Sequence, residues 1–179
     1  LAHKGQGKEK IMSREPDFTT LEVMAIAIKS EVEAIKLYTR MKESTENTDL
    51  QAKIDFLIDQ EKRHQQIITD AYKKRFPDVE LSLPPKSLVP AIGDILEKEA
   101  TLKELFEVGM EAESLAEKFY KDLAGKTSDS NSKKLLEYLS SMEHTHYSIL
   151  EAEYNQLQFG EDYNSDDYLR GERLMNLGP

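Results

Sequence analysis

Glu-x-x-His occurs twice in this sequence, as Glu61 to His64 and as Glu143 to His146. Three residues make about one turn of an α-helix, so each pair sets a carboxylate and an imidazole on one face. Oxygen and nitrogen donors held in that way suit divalent iron, manganese or zinc. Two further acids, Glu31 and Glu113, are each followed seven residues later by a tyrosine, Tyr38 and Tyr120. The chain has no cysteine, which excludes disulfides, thiolate catalysis and sulfur-ligated metal. Its chemistry must come from oxygen and nitrogen.

Such spacings carry meaning only on helices, and the surrounding residues supply them. Proline and glycine are scarce over residues 19–76 and again over 101–124, where apolar residues recur at intervals of three and four. A first helix starts at the capping box Thr19-x-x-Glu22 and runs to about Glu43. A second runs from about Asp49 and stops before Pro77. The third has its own capping box, Thr101-x-x-Glu104, and ends near Gly125, and the fourth runs from about Ser130 to near Leu157. Between the second and third, residues 77–100 include Pro84, Pro85, Pro90 and Gly93, which exclude one continuous helix. That segment is long enough to cross the length of a bundle.

An offset of 82 residues superimposes the two halves without a gap: Thr19 on Thr101, Glu31 on Glu113, Tyr38 on Tyr120, Glu61 on Glu143, and His64 on His146. The expected fold is all-α, a four-helix bundle of two duplicated helical hairpins joined by a long crossover. Heptad stripes such as Met24, Ile28, Glu31, Ile35 and Tyr38 turn one acid inward near the middle of each helix. Glu31 and Glu61 are equidistant from Glu46 in the first loop, and Glu113 and Glu143 from Ser128 in the second, so the four acids share one layer. Unpaired, each buried carboxylate is strongly destabilising, and no lysine or arginine lies on these stripes. Two divalent cations balance four carboxylates, with His64 and His146 as neutral ligands.

These motifs resemble rubrerythrin-type, ferritin-like di-iron carboxylate proteins over about residues 19–157. The resemblance implies two iron ions bridged by Glu61 and Glu143, with Glu31 and His64 completing one shell and Glu113 and His146 the other. It also implies that Tyr38 and Tyr120 hold carboxylates by hydrogen bonds. Such a centre reduces dioxygen or hydrogen peroxide. Typical members append a four-cysteine rubredoxin domain that feeds it electrons. No cysteine is present here, so the donor is expected to be an external electron-transfer protein. The family also carries an extra ligand glutamate on the third helix, within a local insertion that the unbroken 82-residue register lacks. Glu117, one turn beyond Glu113, is a stand-in at a different spacing and reads more simply as a boundary residue. The alternatives are an iron-binding, ferroxidase or storage protein without peroxidase activity, and a metal-free structural bundle.

Composition fits this reading. With 34 acidic against 24 basic residues the formal charge is −10, which disfavours nucleic acid and anionic lipid as partners. No apolar run reaches the roughly 18 residues that span a bilayer, so a cytoplasmic location and no membrane contact are expected. A homo-oligomer, with a dimer favoured, is the expected assembly. Residues 1–14 read as a flexible leader, 15–158 as the bundle and 159–179 as a C-terminal tail. His3 and His144 lack the context of the other two histidines, and Glu33 and Glu111 read as solvent-facing charges.

Overall fold

The structure, a computed structural model, describes residues 19–85 and 88–164. The expected leader, 1–14, and the tail from 165 onward lie outside the described residues. Helix α1 spans Thr20–Glu43, α2 Thr48–Arg75, α3 Pro90–Leu96, α4 Leu102–Lys126 and α5 Ser130–Asn164, with no strand among the described residues. Both capping boxes form. The Thr19 backbone N–H donates to the Glu22 carboxylate at 2.8 Å, and that of Thr101 to Glu104 at 2.7 Å, while each threonine hydroxyl accepts from the glutamate N–H in return. Asn47 caps α2 through its side-chain oxygen, which accepts from the Asp49 and Leu50 N–H groups.

Two elements differ from the sequence expectation. Helix α5 continues to Asn164, past Leu157, where the apolar pattern stops. No proline lies between Leu157 and Asn164 to stop the helix, and periodicity alone places a helix end only to within a few residues. The crossover also contains α3, only seven residues long with Pro90 in its first turn, too short to show a period.

Helix α1 packs chiefly on α2 and α4 on α5, forming two hairpins that meet along the α1–α4 seam and more sparingly along α2–α5. Helix α3 lies against both α1 and α4. The Arg40 guanidinium fixes its C-terminal end by donating to the Ile95 and Lys98 carbonyls. The seam is close at Gly109, where a Cβ would stand 2.8 Å from the Met41 methyl and 3.3 Å from Leu150. Among the described residues, no helix is long and apolar enough to cross a membrane.

The apolar core is divided in two. One cluster gathers Leu37, Met41, Leu57, Phe106 and Leu150, and the other Ile28, Ile68, Tyr72, Ala116 and Leu139. Each fully buried leucine, isoleucine, methionine or phenylalanine contributes about 1.5–3 kcal/mol. Along every long helix the mid-helix acid falls between a residue of one cluster and a residue of the other, as Glu61 does between Leu57 and Ile68. The two apolar halves therefore enclose a polar layer.

Candidate metal centre

Six side chains fill that layer. Glu31, Glu61, His64, Glu113, Glu143 and His146 are each no more than 3% exposed. Helices α1 and α4 supply Glu31 and Glu113, while α2 and α5 supply the two Glu-x-x-His pairs. The 3.6-residue repeat stacks each glutamate beneath its histidine, so all six donors converge without loops.

Their arrangement is twofold. His64 Nδ1 lies 3.3 Å from Glu61 Oε2, 3.4 Å from Glu143 Oε1 and 3.8 Å from Glu31 Oε2. His146 Nδ1 lies 2.7 Å from Glu61 Oε1, 3.2 Å from Glu143 Oε2 and 3.8 Å from Glu113 Oε2. Glu61 and Glu143 thus present one oxygen to each imidazole, while Glu31 and Glu113 each face one. The two rings stack with centroids 5.4 Å apart. Two equivalent half-sites share two carboxylates.

The remaining oxygens of Glu31 and Glu113 are held from the opposite hairpin. Tyr120 donates its hydroxyl hydrogen to Glu31 Oε1, and Tyr38 donates to Glu113 Oε1. Each tyrosine lies two turns beyond its own helix's glutamate yet meets the other helix's, which requires α1 and α4 to run antiparallel. With Oε1 engaged, Oε2 of each acid is directed at the centre.

The electrostatics call for cations. Burial pushes the Glu31 and Glu113 carboxyls well above the ordinary range, and the charge of Glu143 raises them further. Burial also raises the Tyr120 hydroxyl, with Glu31 adding to the effect, so it remains a donor. Burial lowers the two imidazoles, but contact with Glu143 and Glu61 outweighs it and pushes His64 up to about 9 and His146 up to about 11. Metal ligation needs neutral imidazoles and ionised carboxylates, so metal uptake must displace the protons these shifts favour.

The donors themselves test the fit. Both oxygens of Glu61, Glu143 Oε1 and both ring nitrogens of His64 and His146 are buried with no hydrogen-bond partner. Glu61, His64, Glu143 and His146 can each offer one atom within 4.8 Å of all the others. Buried carboxylate and imidazole with no lysine or arginine paired to them among the described residues fit a pair of divalent transition-metal ions.

The rubrerythrin family model matches residues 22–154, which contain all six side chains and both tyrosines. The chain belongs to the rubrerythrin family. No curated protein matches it in sequence. Among solved structures, this family member is similar to a hypothetical protein from Pyrococcus furiosus, with 30% identity over 79% of this chain and 92% of that one, at a TM-score of 0.71. It also shares its fold with KatB, a manganese catalase from Anabaena PCC7120, with 15% identity over 87% of this chain and 81% of that one, at a TM-score of 0.59.

Of the acids around the rubrerythrin-family centre, Glu117 is the boundary residue that the sequence suggested, whereas Glu33 departs from expectation. The Glu117 carboxylate turns away from the layer and meets His144 Nδ1 at 3.1 Å on the surface, where His144 is 67% exposed. His144 therefore has a partner, although pattern alone gave it none. Glu33, expected to face solvent, is 7% exposed and pairs with Lys29 at 2.9 Å. Its repeat mate Leu115 is exposed, so the duplication gave no sign of this burial.

Proposed function

We propose that the chain is a di-iron oxidoreductase that reduces hydrogen peroxide or dioxygen with electrons delivered by a separate carrier protein. One observation carries this reading. Glu61 and Glu143 each turn one oxygen to His64 and the other to His146, a disposition suited to bridging two ions. In this reading Glu31 and His64 complete one shell and Glu113 and His146 the other. Bound there, an iron pair would supply two electrons to a small oxidant.

The chain's own residues make the centre selective. Two apolar clusters keep bulk water from the layer, which strengthens every charge interaction inside it. Tyr38 and Tyr120 hold Glu113 and Glu31 in place and keep buried protons next to the acids. A cytoplasmic, homodimeric protein without nucleic-acid partners remains the accompanying expectation.

The test is to load two equivalents of ferrous iron without oxygen, then mix with peroxide or with dioxygen. The expected outcome is oxidation much faster than the protein-free control, followed by re-reduction when an external one-electron donor is added. Oxidation no faster than that control would overturn the reading. The storage alternative predicts a multi-subunit cage on size exclusion and iron retained far beyond two per chain. A second metal reading is favoured by the shared fold with a manganese catalase. Metal analysis of protein purified without added metal distinguishes the two.

A further inference from the structure

A small cavity adjoins the centre on the α1–α4 side. The four site glutamates form its floor, and neither histidine reaches it. Its walls are Ser30 and Ala34 from α1 and Ala112 and Ala116 from α4. These are repeat mates, Ser30 with Ala112 and Ala34 with Ala116, so both halves recess the wall at the same level. Unpartnered, buried oxygens of Glu61 and Glu143 belong to residues that line this space. The remaining wall is Ile92, 1% exposed, from the crossover helix α3.

Ile92 has no counterpart within the duplicated frame, since the crossover joins the halves and is not repeated. Among the described residues that line the cavity, it comes from outside the two repeated hairpins. On the opposite side the imidazoles, backed by α2 and α5, close the layer. A molecule that reaches the carboxylates from the α1–α4 seam must pass or displace Ile92, which is seated on α1 and α4 and held by the Arg40 contacts at the end of α3.

We propose that Ile92 is a specificity-determining residue, whose side chain caps the carboxylate face of the centre and admits only ligands about the size of peroxide, dioxygen or azide. The inference rests on the oxidant-reducing reading above. In an apolar wall, one methylene changes discrimination by about 10-fold or more, so the size of this residue is the lever.

The test uses the metal-loaded full chain and two anions, azide and the bulkier acetate, titrated optically against the native chain, Ile92→Val, Ile92→Ala and Ile92→Phe. Metal content is measured in each. The expected result is acetate binding that strengthens by about 10-fold or more per step from Ile to Val to Ala, azide binding that weakens in Ile92→Phe, and unchanged metal content. Ile149→Ala, which trims the α2–α5 face, should leave both anions unaffected. If Ile92→Ala does not fold, the Val and Phe variants carry the comparison. Equal binding by all Ile92 variants overturns the proposal, as does acetate admitted equally by Ile149→Ala. A chain that takes up no metal overturns the functional reading and this inference together. A chain that binds metal and selects anions by the residue at 92, yet does not react with peroxide or dioxygen, overturns only the functional reading.

Discussion

At the level of single residues, the two kinds of glutamate in the centre are not equivalent. Glu61 and Glu143 face both imidazoles, whereas Glu31 and Glu113 each face one. Under the proposed ligand set, Glu61→Ala removes an oxygen from each half-site, but Glu113→Ala removes one from a single half-site. The expected outcome is loss of both ions in Glu61→Ala and retention of about one per chain in Glu113→Ala, read by metal analysis after gel filtration. Equal loss in the two variants would contradict the sharing of Glu61. Most of this layer was legible in the sequence because residue type, one-turn spacing and the 82-residue register all converge on the same six positions. The Glu117–His144 pair was not, because it joins surface positions on two helices and no intrahelical spacing encodes it.

The helices that carry these residues are started by matched signals. Thr19 with Glu22 and Thr101 with Glu104 form reciprocal boxes, and each glutamate carboxyl is held below its ordinary value, first by the threonine N–H and then by the hydroxyl. A carboxyl lowered in the folded state stabilises it above the unfolded value, 4.5 for these groups, and that contribution is lost as pH falls through the lowered value. A Thr19→Ala, Thr101→Ala double variant should melt a few degrees lower than the native chain at neutral pH, with the gap shrinking below about pH 4. Thermal melts followed by circular dichroism across pH check this, and a gap that widens with acid contradicts it. Boxes of this kind are local, so they could be read before any contact was known. Helix α3 could not, since its seven residues are placed by packing on α1 and α4 and by Arg40, contacts that leave no periodic trace. The end of α5 was not legible either, since no proline between Leu157 and Asn164 marks where the helix stops.

For the molecule as a whole, the centre and the fold depend on one another. The polar layer crosses the core at mid-height, and burial raises its Glu31 and Glu113 carboxyls unless a cation offsets it. Metal that binds only the folded chain must therefore raise its melting temperature, and a chelator must lower it. With free metal at about 100 times its dissociation constant, the gain is about 2.7 kcal/mol. Calorimetry with and without chelator reads it, and identical melts would show that the bundle stands without metal. The hydroxyl-to-carboxylate links carry a further implication. Tyr38 secures an acid of the second hairpin and Tyr120 an acid of the first, so a lone hairpin holds one clasp and one catch that do not reach each other. An ancestor half this length would have had to associate with its twin, Tyr38 of each copy latching onto Glu31 of the other, before fusion made the partnership permanent.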